Sequence, residues 1–119
     1  EVAQPGSRVA RAMGAHPDLV AGEGRDVTAW LRGLPGAVAK EGAAGMMAVG
    51  LPDGRAVAFK IADGSDGARR AVTPASLRAV GLDVDTRAAD AVRAAQVPVL
   101  GHGREVGVLR ALDWSSCSS

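Results

Sequence analysis

The chain has 119 residues, of which 47% are hydrophobic and 23% charged, with a formal net charge of +1. That profile excludes a disordered polymer and bounds the chain to one globular domain or a part of one. Charges of both signs are interspersed without long like-charge runs and no apolar stretch is of transmembrane length, so neither a nucleic-acid arm nor a membrane anchor is expected.

Aromatic residues make up only 3% of the chain, and the abundant Ala and Gly each bury little surface, so a core built from these residues alone is expected to be marginal. Cys117 is the sole cysteine, which rules out an internal disulfide or a cysteine-based zinc cluster and makes a reducing, cytoplasmic setting the expectation. No signal-peptide pattern opens the chain, and its start at Glu1 rather than Met implies a piece of something longer.

In chain order, Ser7 predicts the cap of a short helix over Arg8 to Ala15, with Val9, Ala12 and Met13 on one face. His16-Pro17 ends it, because the residue before a proline is pushed out of the α region. Val20 to Arg25 reads as a glycine-punctuated loop, and Asp26 or Thr28 as the cap of a second short helix stopped by Pro35-Gly36. Residues 37–62 read as strand, turn, strand. In "LPDGR", Pro52 and Gly54 predict a turn that sets Leu51 opposite Arg55, Val49 opposite Val57 and Met47 opposite Phe59. Those side chains with Ile61 form one large apolar face, while Met46, Ala48, Gly50, Ala56, Ala58 and Lys60 form a face of mostly small residues. If the strand runs back without interruption, its two-residue period puts Lys40 on the small-residue face; Gly42 or Gly45 could break that register.

Asp63 to Gly67 is a turn cluster lacking the glutamate that closes an EF-hand loop. Arg69-Arg70 reads as a solvated helix start, followed by a helix broken near Thr73-Pro74 and stopped at Gly81. Asp85 or Thr86 should cap a further helix ended by Val97-Pro98. "GHG" is a loop, residues 105–111 a strand, and 115–119 a disordered tail. The fold class is therefore α+β, an antiparallel sheet made of the 37–62 hairpin plus the C-terminal strand and packed with helices.

The chain holds no complete catalytic set. Ser-x-x-Lys, the G-x-S-x-G elbow, the P-loop and H-E-x-x-H are all absent. His16 and His102, beside Pro or Gly, read as turn residues, and the carboxylates Asp83 and Asp85 as capping groups. Arginine serves at twelve positions and lysine only at Lys40 and Lys60. Lysine is a compact point charge whose pKa responds to its surroundings, whereas guanidinium is a fixed fork. Lys40-x-Gly42 on an inner strand, with a hairpin and a helix after it, is laid out like the Lys-Thr-Gly element of serine β-lactamases and penicillin-binding proteins. On that reading Lys40 is the cation that favours a negative substrate group, Gly42 gives clearance, and the Ala43 N–H is an oxyanion donor. The plainer alternative is a partly buried lysine paired with Glu41 or Glu23.

From His16 to Gly64 the sequence runs "HPDLVAGEGRDVTAWLRGLPGAVAKEGAAGMMAVGLPDGRAVAFKIADG". This resembles the L-asparaginase II family, serine-type asparaginases with a β-lactamase-like fold. The matching positions are Val20 to Arg25, Thr28, Lys40, Gly42, Ala43, Gly45, Lys60, Ile61, Asp63 and Gly64, and "PVLGHGREVGVLRAL" is similar to the family's closing strand. Two departures stand out. Ala44 occupies the position of the family's usual Glu, and the chain corresponds only to the C-terminal third or so of a member.

The resemblance implies that residues 1–114 are the C-terminal segment of a partial β-lactamase-like domain. The complete enzyme would convert L-asparagine to L-aspartate and ammonia through an acyl-serine. Lys40 would be its contribution to catalysis, and Gly42 and Ala43 its contribution to substrate binding; Lys60 reads as structural. The attacking serine, its lysine partner and the cysteines that can hold zinc in the full-length family would come from elsewhere, so this chain is expected to be inactive alone and to need no cofactor of its own. Expected partners are a small amide substrate, the N-terminal part, or a second copy. The alternative is a non-catalytic remnant that binds or self-associates through the Met47, Val49, Val57, Phe59 and Ile61 face, with Ala44 leaning that way.

Overall fold

A computed structural model describes residues 5–112; the expected 115–119 tail and Cys117 lie outside them. Three helices come first: α1 (Pro5–Ala15), α2 (Pro17–Ala21) and α3 (Asp26–Gly33). A three-stranded antiparallel sheet follows, β1 (Val38–Gly42), β2 (Met46–Gly50) and β3 (Ala56–Lys60), in the order β1-β2-β3. Next are α4 (Asp66–Ala79), α5 (Val84–Arg87) and α6 (Ala89–Ala94), then a two-stranded sheet of β4 (Val97–Gly101) and β5 (Arg104–Leu109). The α+β class holds, but the C-terminal strand does not join the first sheet. It pairs with β4, which begins at the Val97-Pro98 expected only to end a helix.

The β2–β3 hairpin has the expected register, Met47 opposite Phe59 and Val49 opposite Val57, closed by Leu51 N–H donating to Arg55 O at 2.8 Å. Its expected single long first strand is instead two strands. The chain reverses at Ala43–Gly45, where Ala44 (φ 57°) and Gly45 (φ 73°) both take left-handed backbone. Gly45 is required on two counts. A Cβ there would lie 2.9 Å from Ile61 Cβ and 3.1 Å from the Gly64 carbonyl carbon, and left-handed φ strains any side-chain-bearing residue. Lys40 thus reaches the small-residue face by pairing across strands with Ala48, not by continuing one strand.

Side chains alternate across each strand. One face of the sheet presents Ala39, Met47 and Val49, all buried, with Val57 and Phe59 packed on the core beside Val27, Trp30, Leu31 and Leu77 from the helices. Each large apolar side chain so covered contributes about 1.5–3 kcal/mol. The apolar face expected to lie partly open in a truncated domain is therefore the one the helices cover. The opposite face is open: Lys40, Gly42, Met46, Ala56, Ala58 and Lys60 are all exposed.

The helix ends differ from expectation in several places. Ser7 lies inside α1 rather than before it. α2 begins with Pro17 at its first position, where a missing N–H costs nothing. Neither Asp26 nor Thr28 caps α3: Arg25 is its N-cap residue, and the Thr28 hydroxyl donates to Gly22 O at 2.5 Å. α4 is capped by Ser65, whose Oγ accepts from Ala68 N–H at 3.1 Å, and it runs unbroken through Pro74. Its end forms a Schellman arrangement, with Gly81 (φ 85°) N–H donating to Arg78 O at 2.9 Å and Leu82 N–H to Leu77 O at 3.1 Å.

The expected helix after Gly81 is split into α5 and α6. Of the two carboxylates read as capping groups, Asp83 caps α5 by accepting from Thr86 N–H at 3.2 Å, while Asp85 pairs with Arg78 at 2.7 Å. Buried Ala88 marks the break, because it packs on Gly33, where a Cβ would come within 2.9 Å of its own.

Replacing Gly45 by Ala is expected to cost about 2 kcal/mol or more in urea unfolding. Gly50→Ala, on a regular strand with open space above it, should change stability by no more than about 0.5 kcal/mol; equal effects at the two positions would contradict the packing described.

Candidate active site

Strand β1 carries two different chemistries on its two faces. Lys40 projects to the open face with its Cα partner Ala48, and the sheet brings Lys60 to the same side opposite Met46. Glu41 projects to the helix face. The Lys40 ammonium is exposed and donates to the Glu41 main-chain carbonyl at 2.8 Å. It pairs with neither of the carboxylates considered for it: Glu23 is held by Arg32 at 2.6 Å, and Glu41 by two arginines. The Arg32 hydrogen bond and charge also hold the Glu23 carboxyl below the usual carboxylate range.

Gly42 pairs with Met46, and a Cβ on it would sit 3.2 Å from Met46 Cβ and 3.3 Å from Met46 Sδ. The clearance expected over Gly42 is therefore filled by a methionine, which is flexible enough to move aside. Ala43 is exposed at the start of the turn rather than inside a strand. Lys60 Nζ donates to Ala44 O at 3.3 Å, tying the strand end to the left-handed turn. The structure thus gathers Lys40, Gly42 and Ala43 on one strand end and its turn, on an open surface.

Two clefts among the described residues lie away from these three. One of about 280 Å³ is lined by Leu34, Leu51, Pro52, Leu82 and Arg87 among others, and one of about 500 Å³ runs between α3 and the α5–α6 segment. Neither is lined by Lys40, Gly42 or Ala43.

Sequence reasoning missed the cluster behind the sheet. Arg69, expected on a solvated helix start, is 1% exposed. Its guanidinium donates two parallel bonds of 3.0 Å to the buried Asp26 carboxylate, a third of 2.9 Å to Asp66, and stands 3.1 Å from Glu41 Oε2. Burial acts to lower its pKa, but the hydrogen bonds and charges of Asp26 and Asp66 outweigh that and raise it, so the group stays cationic. Glu41 Oε1 in turn accepts from Arg25 Nη2 at 2.6 Å. Arg70 is likewise no solvated residue, since it donates to Ala94 O at 2.7 Å. The only clue available in the sequence was an aspartate at a helix start, which reads more simply as a cap.

Among the described residues no group of three or more His, Cys, Asp or Glu is arranged to hold a metal ion. The acids nearest together are already turned to a guanidinium. No helix among the described residues is long and apolar enough to cross a membrane.

A family model described as L-asparaginase II matches residues 1–111 of the 119. The chain belongs to the L-asparaginase II family. No curated protein matches it. The resemblance carried by residues 16–64 therefore extends through both sheets, and an L-asparaginase II chain here presents its lysine-bearing strand on an uncovered face.

Breaking the buried cluster should be severe. Arg69→Met leaves Asp26 buried without a partner and is expected to cost about 3–5 kcal/mol in chemical denaturation. Adding Asp26→Leu to it should recover much of that loss, as removal of both charges spares the desolvation of a lone ion. Additive losses in the double variant would contradict the pairing.

Proposed function

We propose that this chain forms the lysine-bearing wall of an amide-hydrolysing site, with L-asparagine as the substrate and an attacking serine supplied from outside these residues. One observation carries the reading: Lys40 stands on an open face of small residues, exposed and without a carboxylate partner among the described residues. Membership of the asparaginase family supports an amide as the substrate class.

In such a site the ammonium attracts the substrate carboxylate and favours the deprotonated form of the group that activates the serine. The serine attacks the side-chain amide carbon, ammonia leaves with a proton delivered by that same group, and water releases aspartate from the acyl-serine. Ala43 N–H, in the turn after Gly42, would meet the oxyanion of each tetrahedral intermediate. The chain alone then lacks turnover, and zinc, if used, would be held by residues outside it.

A second reading is favoured by a different surface. The β4–β5 hairpin leaves Val99, Leu100, Val106, Val108 and Leu109 between 41% and 67% exposed, and a contiguous exposed apolar patch is a candidate association surface. On this reading the chain is a non-catalytic module that self-associates through that hairpin. Light scattering then finds a dimer that Leu100→Lys converts to monomer; a monomer before substitution ends the reading.

The leading reading is tested by ammonia release from L-asparagine with the protein joined to its Ser-x-x-Lys-bearing portion. Lys40→Met is expected to lower kcat/KM at least a hundredfold with the fold intact, while Lys60→Met changes it less than tenfold. Full activity in the Lys40→Met protein would refute the assignment.

A further inference from the structure

We propose that Glu41 is the positioning residue for Lys40: its carboxylate, clamped between Arg25 and Arg69, fixes the main-chain carbonyl that holds the ammonium. The inference rests on the reading of Lys40 as a chemical group and names what aims it.

Neighbouring residues on a strand project to opposite faces, so the Glu41 carboxylate lies behind the sheet while Lys40 lies in front. Behind, the carboxylate is held from two sides, by Arg25 Nη2 at 2.6 Å on Oε1 and Arg69 Nη2 at 3.1 Å on Oε2. Arg69 is itself held in place by Asp26 and Asp66, which take its other donors, with Met47 Sδ 3.7 Å from Nη1. Turning the Glu41 peptide about the strand axis would break at least one clamp.

In front, that same peptide offers its carbonyl to Lys40 Nζ at 2.8 Å. β1 is an edge strand, so the peptide is stiffened by the sheet on one side only. The side-chain clamp supplies the remaining constraint. A free lysine samples many rotamers, and ordering it costs entropy. One hydrogen bond to a fixed carbonyl removes much of that freedom and leaves two of the three ammonium donors for a substrate or partner.

The chain contains two lysines, which makes the test direct. Isotope-labelled full-length chain is examined by NMR for the lysine ammonium signals, with Lys60 as internal reference. The wild type is expected to show a scalar coupling across the hydrogen bond from Lys40 Nζ to the Glu41 carbonyl carbon, and a Lys40 side chain more ordered than that of Lys60.

In Glu41→Gln and Arg25→Met the coupling should vanish and Lys40 order fall to the Lys60 level, with the remaining amide spectrum retained. Arg25 is half exposed, so its variant decides the matter even where Glu41→Gln fails to fold. A coupling absent from the wild type, or surviving in the folded Arg25→Met protein, overturns the proposal. The measurement needs no turnover, so its failure is distinct from failure of the amidohydrolase reading, which the Lys40→Met assay decides.

Discussion

The guanidinium of Arg69 is the constraint around which the rest of the chain is organised. It sits on α4 yet reaches Asp26 at the start of α3 and Glu41 on β1, so three elements far apart in sequence converge on one buried cation. A lone buried charge is intolerable; with a bidentate carboxylate and two further acids around it, the charge becomes a registration device. It fixes where the helix layer sits against the sheet. The hydrophobic contacts of Trp30, Met47, Val49 and Leu77 supply the greater part of the cohesion but are less particular about alignment.

From that alignment follows the division of labour along β1. The side chain of Glu41 belongs to the interior and that of Lys40 to the open face, because the pleat sends neighbours to opposite sides. Lysine and glutamate at adjacent positions look like a self-neutralising pair. In the fold they are separated by the thickness of the sheet, and the acid is consumed by arginines. What remains in front is a cation on a face of mostly small residues beside Met46 and Lys60, much of which a substrate or a second layer can approach closely.

Much of this was legible in the sequence, and the parts that were not share a physical cause. The Pro52–Gly54 turn and the alternation of the strands it joins were readable because turn chemistry and two-residue periodicity are local. Gly45 marked a possible interruption of the first strand, but a full reversal at residues 43–45 was not readable, since it also needs Ala44 in left-handed backbone, which carries no compositional mark. β4 was hidden by Pro98, which an edge strand accepts and a central strand does not. Pro74 inside α4 likewise looked like a break.

Arg69 was misread for a stronger reason. Its partner Asp26 lies 43 residues away, and nothing in a single sequence says which of several acids a given arginine will meet. The lysine's face was reached correctly, but through the wrong connection, one strand continued instead of two paired. Turn chemistry and alternation located the strand, and cross-strand geometry decided which way its lysine points.

The most direct measurement is amine acylation of the two lysines, with and without the serine-bearing portion. The account predicts that both Lys40 and Lys60 react in this chain by itself and that joining a Ser-x-x-Lys-bearing portion protects Lys40 at least tenfold. If Lys40 is modified equally fast in the joined protein, the face it occupies does not look into a cleft and the account is wrong.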